Sequence, residues 1–336
     1  MDLPLNPEYD NFARRYETGQ PQIVWTRVVN DLDTPVSAFL KMAHQKTAEK
    51  PYAFLFESVQ GGEQRGRYSV LGYDPDIIWR AQGNACEVAF VNAESAHEFE
   101  PLTGKPIDEL RALQSQSKVD IPEGVPPMAA GLFGYLGYDM IRQVEHLPSD
   151  NPDPIQTPDA IMTRPTIIAI FDQIAQEVIL STTVRPAETA NVSAKDAYAH
   201  AQDKLAQAAL ALESGTSALR QTIDQSLTEA DNITGGTPQA QFTDMVKTAQ
   251  DYIKAGDIFQ VVLGQRFEAP LPVPPFALYR ALRRLNPSPF LYYLNFDDHA
   301  IVGNNALVLF GQLAVAALFG CKVNNDRAGL HHLDHV

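Results

Sequence analysis

The sequence predicts an α+β protein of largely antiparallel sheet with packed helices, on three observations. Runs rich in β-branched and aromatic residues, such as 166–171 and 174–182, flank tight turns rather than long crossover helices. Amphipathic helical stretches fall between such hairpins instead of alternating with single strands, which disfavours a βαβ pattern. The 336-residue chain is 45% hydrophobic and 20% charged, enough apolar residues to build the core of one large domain or two ordinary ones.

The elements follow in order. Thr34 and Pro35 read as an N-cap and a first-turn proline that open a helix over 36–42. Residues 52–56 are an apolar run of strand length, ended by Glu57-Ser58 and a Gly61-Gly62 turn. Residues 67–71 and 77–79 read as strands separated by a turn at Tyr73-Asp74-Pro75. The 166–171 and 174–182 runs form a hairpin around Asp172-Gln173. Ser193, with Asp196 three residues on, opens an Ala-rich helix that stops near Gly215. Residues 215–236, rich in Ser, Thr, Gly and Asp, read as a linker or surface loop between a region 1–214 and a second region 237–303.

In that second region Thr237-Pro238 gives another N-cap and first-turn proline. Phe242, Met245, Val246, Ala249, Tyr252 and Ile253 follow at helical spacing until Gly256. Residues 257–267 read as a strand with two faces: Phe259, Val261, Leu263 and Phe267 on one, Ile258, Gln260, Val262, Gly264 and Arg266 on the other. A helix over 276–285 ends at Asn286-Pro287, because a residue before proline is pushed out of the helical region. Residues 290–296 and 300–302 form a hairpin around Asp297-Asp298.

Charge and composition narrow the partners. A net charge of −15 repels a phosphate backbone, so nucleic acid is not expected. Cys86 and Cys321 alone make neither a disulfide framework nor a zinc site. The opening MDLPLNPEYD lacks the basic and apolar regions of a signal peptide. The longest apolar run, 306–319, is short for a bilayer and carries Gln312. A cytoplasmic protein without a membrane partner is the expectation.

Several segments, taken in their order and spacing over residues 16–303, resemble anthranilate synthase component I, a chorismate-utilising family. They are Phe54-Leu55-Phe56-Glu57-Ser58, Arg67-Tyr68-Ser69, Gly131-Leu132-Phe133-Gly134-Tyr135-Leu136-Gly137-Tyr138-Asp139, Gly256-Asp257-Ile258-Phe259-Gln260-Val261-Val262-Leu263 and Leu285-Asn286-Pro287-Ser288-Pro289-Phe290. The resemblance implies that family's α+β fold, with 237–303 as the start of its chorismate-binding catalytic domain. It implies conversion of chorismate and ammonia to anthranilate and pyruvate, magnesium as cofactor, a glutamine amidotransferase subunit (component II) as partner, and L-tryptophan as feedback inhibitor.

The resemblance also assigns residues. Tryptophan binding falls to Glu57, Ser58, Asn286, Pro289, Phe290 and Leu291. Physically, Pro287 and Pro289 fix two φ angles, so a ligand settling on that loop orders little chain, and Ser58 adds a hydroxyl donor and acceptor. Taken as spacing alone, the same Asn-Pro-Ser-Pro run is a turn between helix and strand. Gln260 stands where water-adding relatives carry a lysine base; ammonia is already a nucleophile and needs less deprotonation, so Gln260 is the catalytic candidate. Arg266 is the candidate for a substrate carboxylate. The family commonly has serine at Gly264, which leaves a hydroxyl contact open there.

After residue 303 the resemblance ends. The expected magnesium-binding glutamates and the Gly-Thr-Arg loop do not follow, and 304–336 reads as a tail unlike the family, with His331, His332 and His335 near its end. The expectation is therefore that these residues hold no metal and are by themselves inactive. Aminodeoxychorismate synthase component I and a non-catalytic tryptophan-binding regulatory module remain the alternatives.

Overall fold

The computed structural model describes residues 3–45, 48–58, 66–91, 98–148, 152–153, 155–188, 191–215, 233–271, 273–285, 290–310, 313–324 and 330–335, with side chains left undescribed at 44–49 and 304–335. The fold is α+β, and the strand pairings within each of its two units are antiparallel. The chain divides into two compact units, Met1–Arg220 and Gln221–Val336.

The first unit runs α1 (Tyr9–Glu17), β1 (Gln22–Val29), α2 (Pro35–Met42), β2 (His44–Gln45), β3 (Ala48–Glu49), β4 (Phe54–Glu57), β5 (Tyr68–Gln82), β6 (Ala85–Phe90), β7 (Glu100–Leu102), α3 (Pro106–Gln116), β8 (Phe133–Leu136), β9 (Ala160–Asp172), β10 (Glu177–Val184) and α4 (Ala194–Glu213). Its sheet has the order β1-β10-β9-β5-β4, with β6 and β7 continuing from one half of β5 and β8 lying on one half of β9. Helix α4 packs on β10 and β1, with α1 and α2 against it. Phe12, Phe39, Leu55, Leu71, Ile170 and Leu205 are fully buried there. Such side chains each contribute roughly 1.5–3 kcal/mol by leaving water. Elsewhere in the unit α3 lays Leu110 and Leu113 against Trp79, Cys86 and Val88.

Local chemistry accounts for the ends. Thr34 caps α2 by accepting from the Ser37 amide at 3.1 Å, while the Ser37 hydroxyl accepts from the Thr34 amide at 2.9 Å, a reciprocal capping box ahead of Pro35. Ser193 accepts from the Asp196 amide at 3.1 Å and starts α4.

The turn expected at Tyr73-Asp74-Pro75 does not break the chain into separate strands. One fifteen-residue strand, β5, runs through it with a bulge: Pro75 faces Pro165, Ile77 faces Arg164, and Asp76 is the extra residue. The turn-forming residues are used for the bulge itself, Asp74 taking φ 51°. Both prolines sit where the outer neighbours change, since β4 pairs only with 70–72 and β6 with 77–82 of β5. A missing N–H costs no ladder bond on such an open side.

Asp76 then grips Arg164 with two contacts of 2.7 and 3.0 Å, and Glu188 adds two of 3.0 and 2.6 Å. Burial lowers the affinity of the guanidinium for its proton, but these carboxylates reverse that and hold Arg164 above its ordinary value.

In the glycine-rich 131–139 stretch β8 packs strand on strand against β9. Gly134 lies against β9 so closely that a Cβ there would fall 1.9 Å from the Ile161 carbonyl oxygen.

The second unit runs β11 (Thr234–Gly235), α5 (Gln239–Ala255), β12 (Phe267–Pro270), α6 (Pro275–Leu285), β13 (Phe290–Asn295), β14 (His299–Phe310), β15 (Leu313–Asn324) and β16 (Leu330–His335). Within it the strand order is β13-β14-β15-β16-β12-β11. Phe276 and Tyr279 of α6 stack on each other and meet Tyr293 of β13 at 5.0 and 5.8 Å. Gly256 closes α5 in the left-handed conformation, φ 82°. The cap position at its start is Pro238 in extended geometry, so Thr237 lies one residue too early to cap it. The second hairpin strand, read from sequence as 300–302, extends to Phe310 because β15 continues its ladder. Among the described residues no helix is long and apolar enough to cross a membrane.

Gly134→Ala should destabilise the first unit by about 1–3 kcal/mol or more, since the methyl meets backbone that has no room to yield. Urea unfolding measures it, and an unchanged midpoint would refute the close approach.

Candidate functional site

At the end of β4 a polar group of side chains is assembled from three places in the first unit. Phe56 pairs with Val70, so Glu57 and Ser69 lie side by side where the β4–β5 ladder ends. Both are buried, at 3% and 1% exposure. Strand alternation turns Leu55 and Glu57 to one face. Phe54 and Phe56 turn to the other, where Phe54 stacks on Phe133 at 4.6 Å. Gln173, from the β9–β10 turn, reaches across with its amide nitrogen 3.4 Å from the Ser58 carbonyl and 3.5 Å from the Ser69 hydroxyl.

Asp172 anchors that turn. It accepts from Arg67 at 2.6–3.0 Å and from the Ile174 and Ala175 amides at 3.1 Å each. Burial alone would raise this carboxyl. The Arg67 hydrogen bonds and the two amides outweigh it and hold Asp172 below its ordinary value. The assembly offers carbonyl, carboxylate and hydroxyl acceptors at one sheet end, a set suited to an ammonium group.

The second unit places its candidates differently. Leu291 is buried on β13, opposite Asn304, and Phe290 is half exposed. The neighbouring Tyr292 phenol is pushed up to about 12 by burial. Asn286 and Pro289 lie outside the described residues.

The strand expected over 257–267 is absent apart from Phe267, where β12 begins. Gln260, Gly264 and Arg266 therefore share no strand face. Alternation supplied the faces, but among the described residues no strand lies alongside 257–266 to take its N–H and C=O groups. Gln260 is exposed, as is Phe259 at 87%. Arg266 pairs with Glu268 at 3.1 Å and already has a carboxylate partner.

Sequence reading missed Ser69 and Gln173, which reach Ser58 only through the β4–β5 and β9–β10 pairings. It also missed the buried Arg164, although an arginine inside the apolar β9 run was a usable signal. Among the described residues no group of three or more His, Cys, Asp or Glu side chains is placed to hold a metal ion. The side chains of His331, His332 and His335 lie outside the described residues.

Antiparallel sheet under helices, with a polar group of side chains at one strand end, defines the described residues as an α+β protein. Residues 50–306 match the family described as chorismate binding enzyme, and the chain belongs to that family. Anthranilate synthase component 1 of Cereibacter sphaeroides is 43% identical over 302 residues, covering 90% of this chain and 59% of that protein. Anthranilate synthase component 1 of Synechocystis sp. is 36% identical over 312 residues, covering 91% and 59%. The crystal structure of anthranilate synthase component I from Streptococcus pneumoniae TIGR4 superposes with a TM-score of 0.58 at 25% identity, covering 83% of this chain and 57% of that one. The chain thus spans 59% of the length of the first two relatives.

Because its carboxyl is held low in the folded state, Asp172 stabilises the fold at pH values above the ordinary carboxylate value of about 3.9. That contribution is lost as pH falls through the depressed folded value. Asp172→Asn should therefore lower the Tm near pH 7, and the gap to the parent should close in acid below about pH 4. Melting curves across pH check this; a gap that widens in acid would show the sign to be wrong.

Proposed function

We propose that this chain serves anthranilate synthesis as a component I. In that reaction chorismate loses its hydroxyl, ammonia from a glutamine amidotransferase partner adds to the ring, and pyruvate is eliminated. The observation that carries the reading is the match of residues 50–306 to the chorismate binding family, joined to 43% identity with an anthranilate synthase component 1. Gln260 supports ammonia over water as nucleophile, because an amide is no base and ammonia needs little help. The resemblance implies magnesium as the cofactor of this reaction; among the described residues no group of three or more His, Cys, Asp or Glu side chains is placed together.

These residues alone are proposed not to turn over. Gln260 stands in solvent on a segment without a ladder, and catalysis by positioned groups needs a preorganised site from which water is excluded. That openness favours a second reading, a tryptophan-binding module without catalysis, in which Glu57 and Ser58 of the first unit take part.

Given chorismate, magnesium and ammonium, the purified chain should show no growth of anthranilate fluorescence. Residues 1–303 grafted onto the remainder of the Cereibacter sphaeroides relative should restore it, and Gln260→Lys in the graft should lower the ammonia-dependent rate by about tenfold or more. Fluorescence from the chain alone would overturn its proposed inactivity, and a folded but silent graft would sink the assignment.

At a hundredfold excess over its Kd, L-tryptophan should stabilise the chain by about 2.7 kcal/mol, seen as a rise in Tm that chorismate does not produce. Ser58→Ala should remove most of that rise. A shift unchanged by the substitution would place tryptophan elsewhere.

A further inference from the structure

A cavity of about 490 Å³ opens in the first unit between α3 and the 127–132 segment, away from Glu57 and Ser58. Its size falls in the range of small-molecule sites, roughly 300–1,000 Å³. Ile107, Leu110, Val119, Ile121, Leu132 and Met162 give it an apolar wall. Its polar groups are few and of one sign: Arg111 and Lys118 line it together with Gln114 and Ser117. A cationic rim stands out on a chain whose net charge is −15.

Three details make the rim a receptor for an anion. Lys118 has no ion-pair partner among the described residues, and the next acid along the chain, Asp120, is taken by Arg15 at 3.2 Å. Arg111 is only loosely engaged, by the exposed Asp108 at 3.3 Å. The C-terminal end of α3, whose carbonyls would repel an anion, is neutralised from behind. Buried Arg185 donates to the carbonyls of Ser117 at 2.7 Å, Lys118 at 3.4 Å and Gln116 at 3.5 Å.

We propose that this cavity binds a small organic carboxylate with an aromatic or branched aliphatic body. The body lies against Leu110, Ile121 and Met162, and the carboxylate is held by Lys118 and Arg111. The site is independent of the tryptophan reading, since it shares no residue with it.

The test uses 4-phenylbutyrate as probe and 4-phenylbutan-1-ol as its neutral counterpart, titrated into the full chain by calorimetry. Saturable binding of the carboxylate is expected, weakened at least tenfold by Lys118→Glu, abolished by Gln114→Trp, which fills the cavity mouth, and unchanged by the distant Lys195→Glu. The alcohol should bind at least tenfold more weakly. Melting curves of each variant confirm that the fold is kept, the altered side chains being exposed on the parent. Absence of saturable binding, equal affinity for the alcohol, or binding indifferent to both Lys118→Glu and Gln114→Trp in folded variants would overturn the proposal.

Discussion

The first unit hangs on the antiparallel pair β5–β9. Each of these long strands exchanges one set of outer neighbours for another along its length: β5 passes from β4 to β6, and β9 from β10 to β8. Only the pairing between them is maintained across the exchange. At the crossing point Pro75 faces Pro165 and Asp76 bulges out to hold Arg164 with Glu188. A buried guanidinium is costly unless its donors are met, and here two carboxylates meet them in bidentate fashion. The clasp also specifies register. A slip of one residue would turn every side chain of the spine to the wrong face and carry Arg164 away from its carboxylates.

That register delivers the polar strand end. Ser58 and Gln173 are 115 residues apart, and they meet because β4 is laid on β5 and the β9–β10 turn closes over the same edge. Asp172, with Arg67 on one side and two turn amides on the other, holds the turn that carries Gln173. The polar strand end and the stability of the sheet are thus coupled: its acceptors are the neighbours of groups that close the sheet.

The second unit has the opposite character around Gln260. Residues 257–266 alternate as a strand should, yet they lie open, with Val261 and Val262 exposed beside Phe259. An alternating segment states which face would be buried; it cannot supply the neighbour that buries it. Gln260 therefore stands in the expected sequence context, on an exposed segment that no strand borders among the described residues.

What the sequence determined by itself was local or familial. Caps such as Thr34-Pro35 and Ser193, the β9–β10 hairpin, the left-handed Gly256 and the antiparallel α+β class all rest on interactions within a few residues, or on patterns that few folds share. The ordered motifs from Phe54 to Phe290 carried the family. Tertiary structure decided the rest. It made a bulge of the Asp74-Pro75 turn and set Gly134 against the β9 backbone. It joined Arg164 to Asp76 and Glu188, and it left 257–266 without a ladder. Each of these depends on which distant segment lies alongside, and hydrogen-bonding partners and close contacts across a sheet are set by neighbours that no local pattern names.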